Sequence, residues 1–526
     1  MPNLIMQDVP GTGTYSTTTP LEFPPGGGTG IGDTSGVSSA ALREGNFLGN
    51  YLLWTGVFLS GIGSLYFVGK DKMLSLLLRD HYWAYHPTAL RTKLQGLGVR
   101  FFSLKKTKTY SFQNNLPSLP VPDLEKTLQT YLNSVKPFLT EEEFCRTQSV
   151  VEEFKKGVGP ELHKELVARA KTLRNWLESW WNEESYLSNR RSLAISSNWY
   201  GVGSTPDMID YPDPQIGRAS QTIKAMLQFK RMIDAETYEP WKVADTFPIC
   251  MEQYKRLYGT CRIPGSPQDT IEVHPDSKHI IVFVKNWAYP LDLYNSKGEE
   301  ITLEELDARL SAIRENAERR KEAPDEVSYL TSQDRDSWAL DRQALLSDKD
   351  NAWSLKLIEE ALFIVCLEDA APENLEEHAR AAFLGLDNRW YDAGMQMIIF
   401  RNGLVGSNME HTGADATIPA SMLKYVLDNE KDFGVRQDRV IPEKPLPPIP
   451  LRWDLPPDIS SKIQAAKQAV KREMEDYDLR VLEFNSYGKS LIKTNHFSPD
   501  GFVQMALQLA YFKLNNSLAL TYETAG

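Results

Sequence analysis

The sequence predicts an α/β fold. Short apolar runs of strand length, at 280–284, 289–293, 362–367 and 395–400, alternate with stretches of helical periodicity at 218–234, 302–320 and 352–361. The composition is that of a globular protein, 41% hydrophobic and 24% charged, and 526 residues exceed what one core usually holds, so two or three units are expected. Proline-rich punctuation at 116–122 and 442–450 supplies places to divide the chain.

The elements follow in order. Residues 1–46, rich in Gly, Thr and Pro, hold too little apolar surface to offset the entropy of ordering, and a disordered head is expected. Residues 47–69 carry no charge and are mostly apolar, enough for a transmembrane helix with Trp54 and Tyr66 at its interfaces. Basic residues gather after it in a linker over 70–110, which would leave the larger C-terminal part on the cytoplasmic or matrix side. A buried helix, or a leader removed together with the basic stretch 90–108, is the competing reading. Pro117, Pro120 and Pro122 then hold the backbone extended, and Asp123 caps a helix with Leu124, Leu128, Tyr131, Leu132 and Val135 on its apolar side. Near the C terminus the pattern predicts a helix over 456–478, a strand over 479–484, a helix over 501–513 and a strand over 518–522.

Charge and cysteine content narrow the chemistry. A net charge of −12 speaks against general nucleic-acid binding but leaves room for a local basic pocket that holds a phosphorylated ligand. Cys145, Cys250, Cys261 and Cys366 have no C-x-x-C spacing, so free thiols are expected and no metal site is read, His274 and His279 included.

Two constellations carry chemistry. His411 falls just past a strand ending near Met409, and Asp415 four residues on can fold back to hold one ring nitrogen, leaving the other as a base for a hydroxyl or thiol proton. Lys489 and Lys493, four apart beside Gly488, can converge on a phosphate. A structural histidine and a surface lysine pair are the plainer readings of these short patterns.

Several longer motifs shift that balance. Leu116-Pro117-Ser118-Leu119-Pro120-Val121-Pro122 and the helix after it resemble the opening signature of the carnitine/choline acyltransferases. The resemblance continues in family order through Trp176 to Trp181 with Tyr186, the turn from Cys261 to Thr270, Thr331-Ser332 with Asp336 to Ala339, and Asn388-Arg389-Trp390-Tyr391-Asp392, covering roughly 111–526. Trp176, Trp180 and Trp181 are read as core and Arg262 as bonded to backbone carbonyls, so neither enters the candidate site.

The resemblance implies two similar domains, each a mixed sheet covered by helices, with the site between them. One would span 190–450. The other would join 111–189 to 451–526 and would be incomplete, since the family pattern runs on past Tyr522-Glu523-Thr524; a C-terminally truncated member is expected. It further implies that His411 is the general base with Asp415 behind it, that Lys489, Lys493, Ser498 and Asp500 bind coenzyme A, and that Tyr522 and Thr524 bind the carnitine carboxylate. Acyl-CoA is then a co-substrate, with no bound cofactor, no metal and no nucleic acid. The octanoyl, medium-chain branch looks nearest, in a monomer of the peroxisome or mitochondrion anchored through 47–69. A choline-type acceptor and a weak or inactive acyl-CoA-binding protein are the alternatives.

Overall fold

The computed structural model describes residues 69–80, 82–86, 89–102, 108–203, 213–433 and 447–522. The expected disordered head, the candidate membrane span short of Gly69, most of the linker over 442–450, and Thr524 lie outside the described residues. Among the described residues no helix is long and apolar enough to cross a membrane.

In chain order the strands are β1 (Trp199–Val202), β2 (Lys242–Val243), β3 (Phe247–Pro248), β4 (Thr260–Ile263), β5 (Thr270–Val273), β6 (His279–Val284), β7 (Trp287–Asp292), β8 (Ile364–Leu367), β9 (Gln396–Ile399) and β10 (Val405–Met409). Six of them form one mixed sheet in the order β1-β10-β9-β8-β6-β7. The central β9, β8 and β6 run parallel, and β10, β1 and β7 are antiparallel to their neighbours. The pairs β2–β3 and β4–β5 are separate two-stranded ribbons.

The apolar runs read as strands are strands because both faces of the sheet are covered. In β6, Ile280, Val282 and Val284 feed the core beneath helices Pro214–Asp234 and Leu303–Arg319, while Ile281 and Phe283 feed a second core with Trp338 and Trp390. A strand buried on both faces reads as a continuous apolar run rather than an alternating one. Lys285 and Asn286, at φ of 50° and 62°, turn β6 into β7 as a two-residue hairpin loop of the left-handed type that matches strand twist. Gly403, at φ +82°, closes the β9–β10 hairpin where the Arg401-Asn402-Gly403 turn was expected.

Outside the sheet the expected helices form, the one capped by Asp123 and those near 456–478 and 501–513 included, while two expected strands do not. Residues 111–189 are helical, with helices Leu124–Val135, Glu141–Lys156 and Gly159–Thr172. The strands predicted over 479–484 and 518–522 do not form, and the described residues build one of the two expected mixed sheets. The physical reason lies in side chains that occupy the backbone groups a neighbouring strand would take. Glu376 Oε2 accepts from the Val481 amide at 3.1 Å, and Arg380 donates to the Leu479 carbonyl at 3.2 Å. The Gln508 amide likewise donates to the Ala519 carbonyl at 2.7 Å and accepts from its N–H at 3.3 Å. Residues 451–475 pack on the sheet unit. Leu451 donates its N–H to Ala288 on β7, and helix Pro457–Glu475 sends Ile459 and Ile463 into the second core and Ala466, Val470 and Met474 against Leu193, Ile195 and Tyr329.

Candidate active site

The site lies where β10 leaves the sheet. β10 is fixed between β1 and β9, and the loop from Glu410 to Ala416 carries His411 past the strand end before helix Thr417–Asn429 begins. The loop is pressed against β4. A side chain at Gly413 would meet the Thr260 methyl at 3.0 Å, and Gly394 donates its N–H to the Thr260 carbonyl at 2.8 Å. Gly259, at φ +68°, lies so near the His274 carbonyl that a Cβ there would sit 2.2 Å from its oxygen, so the turn into β4 requires glycine.

His411 is half-buried. Its ring stacks on Tyr186, with centroids 5.2 Å apart and planes 19° from parallel, and its Nδ1 is buried without a hydrogen-bond partner. Burial, opposed by a hydrogen bond with Trp181 and reinforced by Asp415, Tyr522 and Glu410, pushes the Tyr186 hydroxyl up to about 12, so it stays a neutral phenol near pH 7. Tyr522 is exposed.

Asp415 does not bond to the imidazole. Its carboxylate accepts from Gln253 Nε2 at 2.9 Å while its own N–H donates to Gln253 Oε1 at 2.9 Å. The reciprocal amide pair captures the side chain that spacing alone directed at the ring, and Asp415 stands as an exposed negative charge nearby.

Beneath the histidine lies an ion network built on Arg262, which the sequence did not mark as part of a site. Arg262 on β4 is fully buried. Its Nε donates to Asp269 at 2.7 Å, Nη1 to Glu410 and to the Thr412 hydroxyl at 3.2 Å each, and Nη2 to the Tyr186 carbonyl at 2.7 Å. Arg335 bonds both Asp269 and Asp392 at 2.6 Å, and the Trp338 indole donates to Asp392 at 2.6 Å. Burial alone would raise the Asp269 carboxyl, but the Arg335 and Arg262 guanidiniums outweigh it and hold it below the usual carboxylate range. Burial raises Asp392 in spite of Arg335. A sequence signal existed. Arg262 and Asp269 are opposite charges seven apart across the Ile263-Pro264-Gly265 turn, with Arg262 inside an otherwise uncharged strand.

Lys489, Lys493, Ser498 and Asp500 lie on or cap the exposed C-terminal helices. Lys489 and Lys493 share one face of the short helix Lys489–Thr494, both side chains exposed. Ser498 caps helix Pro499–Asn515, accepting from the Gly501 N–H at 3.2 Å, and Asp500 stands in its first turn. Among the described residues no group of His, Cys, Asp and Glu is arranged to hold a metal ion.

Comparison with known proteins gives this geometry a context. The Choline/Carnitine o-acyltransferase family pattern matches residues 119–526. The chain belongs to that family. Human carnitine O-palmitoyltransferase 1, muscle isoform, is 33% identical over 487 residues, which cover 90% of this chain and 62% of that protein. The human liver isoform is 32% identical over 501 residues, 91% of this chain and 63% of the relative. Human carnitine O-acetyltransferase is 34% identical over 458 residues, 83% of this chain and 72% of the relative. The chain therefore spans somewhat under two thirds of the length of the palmitoyltransferase relatives it matches. His411 and the ion network lie inside the matched region.

Proposed function

We propose that this protein transfers an acyl group between coenzyme A and the hydroxyl of carnitine, with His411 as general base. The observation that carries the reading is the placement of His411, a half-buried imidazole at a strand end, stacked on a neutral phenol and framed by buried ion pairs in a family chain. In the forward direction the imidazole takes the hydroxyl proton as the oxygen attacks the thioester carbonyl. The C–S bond breaks as the C–O bond forms, and the imidazolium returns the proton to the thiolate, so no acyl-enzyme is needed. Asp415 is held by Gln253 rather than by the imidazole.

The same proposal assigns Lys489 and Lys493 to the phosphates of coenzyme A, with Ser498 and Asp500 along the same ligand, and Tyr522 and Thr524 to the carnitine carboxylate. A medium-chain acyl group is the proposed substrate, carried by the sequence Gly406 to Thr412; relatives of known name include acetyl- and palmitoyltransferases. Membrane attachment through 47–69 is part of the reading too. It is supported by helix Leu90–Phe102, where Leu90, Leu94, Leu97 and Phe101 form an exposed stripe flanked by Lys93 and Arg100.

The deciding experiment measures thiol release from acetyl-, octanoyl- and palmitoyl-coenzyme A with carnitine, with choline and with neither. His411→Ala should lower carnitine-dependent turnover by at least ~100-fold. Equal rates in the two proteins would remove His411 as the base. Absence of turnover in both, with coenzyme A still bound, would leave an acyl-CoA-binding protein.

A further inference from the structure

We infer that Arg262 is a positioning residue for His411, one guanidinium that holds both the loop carrying the imidazole and the residue the imidazole stacks on. This rests on the reading of His411 as the base.

The geometry is specific. One edge of the guanidinium reaches the two residues that flank His411. Nη1 donates to Glu410 Oε1 and to Thr412 Oγ1, both at 3.2 Å, and Glu410 Oε2 accepts from the Thr412 N–H at 2.9 Å, so the residues either side of the histidine are tied to one another and to Arg262. The other edge reaches across to a different segment, where Nη2 donates to the Tyr186 carbonyl at 2.7 Å and to the Asn189 carbonyl at 3.5 Å. Tyr186 then lays its ring on the His411 imidazole. Both sides of the stack hang from one planar group.

That group cannot drift. Its Nε is held by Asp269 at 2.7 Å, which Arg335 also holds and to which Arg190 donates at 2.9 Å, while the Arg262 N–H donates to the Asp392 carbonyl at 2.9 Å. All these carboxylates are buried, so each guanidinium has a charge partner and a fixed orientation. A lysine offers one point charge where this arrangement uses three separate edges of a rigid fork, so it cannot join the two segments. The imidazole itself makes no hydrogen bond at Nδ1, so its orientation depends on the stack and the loop, which are the two things Arg262 holds.

The test uses the full chain labelled with 13C at histidine Cε1, the His411 signal being assigned as the one lost in His411→Ala. Arg262→Lys and Thr412→Val are compared with wild type. The stack on Tyr186 should shift the wild-type His411 resonance away from that of an exposed histidine. In both variants the resonance should move back and its titration midpoint should change, while the other histidine signals stay in place. In turnover, kcat should fall by roughly 10- to 100-fold with KM changed less than about twofold, since binding contacts are untouched. An unchanged resonance, midpoint and kcat in a folded variant would overturn the proposal. A loss of kcat that merely follows a lower folded fraction, with the pH profile unmoved, would also overturn it, leaving Arg262 a stability residue only. Should Arg262→Lys not fold, Thr412→Val decides, because it removes the hydroxyl that accepts from Arg262 and donates to Glu410 while leaving Arg262 and Glu410 paired with each other. If wild type shows no carnitine-dependent turnover, the acyl-transfer reading fails, and the resonance still judges the clamp.

Discussion

At the scale of single residues, His378 gives the chain a pH-dependent weakness unrelated to chemistry. It lies on helix Leu375–Leu384, 2% exposed, edge-on to Phe400 at 5.2 Å and with Nε2 unpartnered. Burial, opposed by the Val405 backbone, lowers it from its ordinary 6.5 to about 4. The folded protein thus binds this proton less readily than the unfolded chain. Stability is whole above pH 6.5 and is lost as pH falls toward 4, by on the order of 3 kcal/mol in the limit. Urea midpoints at about pH 5 and about pH 7.5 should differ less in His378→Leu than in wild type, and an equal difference would discard the account. His411 was legible in the sequence because a strand run, a turn and a catalytic residue type come in succession. Its surroundings were not. Gln253, which takes Asp415, and Arg262, which holds the loop, are far away in sequence and meet it only when β4 packs against the loop that follows β10.

At the scale of elements, local signals read well where they are self-sufficient. Thr302 and Glu305 form a reciprocal cap, with Thr302 Oγ1 accepting from the Glu305 N–H at 3.1 Å and the Glu305 carboxylate accepting from the Thr302 N–H at 3.0 Å. Helix Leu303–Arg319 begins there, one residue from the expected start, and buries Leu306, Leu310, Ile313 and Ala317. Thr302→Ala should lower stability by about 1 kcal/mol, seen as a reduced denaturant midpoint at unchanged slope. An unaltered midpoint would mean that burial alone holds the helix. Strands were legible when both faces were apolar, as in β6 and β8, and illegible when short and mixed, as in β1 and β4. The false strands at 479–484 and 518–522 show the limit. Their alternation is real, but a strand needs a partner backbone, and here Glu376 and Gln508 stand in for one.

At the scale of the whole molecule, packing is uneven, and that predicts an order of opening. The six-stranded sheet is buried on both faces, and β6, β8 and β9 contain almost no exposed side chain. Helices Leu124–Val135 and Pro499–Asn515 bury none, and Leu482, Leu507, Leu514 and Leu520 stand 88%, 55%, 85% and 80% exposed. Local opening costs least where few apolar contacts must be broken, so the free energy of opening should fall steeply from the sheet to the C-terminal helices. The helix Pro457–Glu475 belongs with the sheet in this respect, its five buried side chains filling the two cores it touches. Hydrogen exchange should therefore be slowest in β6, β8 and β9, intermediate in 457–475, and fast beyond Tyr477. Brief trypsin treatment should cut first after Arg480 or Lys489 and leave the His411 loop intact, and the clipped protein should keep the His411 signal described above. Early cleavage inside 457–475, or protection of 499–515 equal to that of the sheet, would show that the tail is held by contacts this packing does not contain. The ligand sharpens the prediction. If Lys489 and Lys493 grip the phosphates of coenzyme A, adding coenzyme A should slow exchange over 489–515 and suppress cleavage after Lys489 while leaving the sheet unchanged.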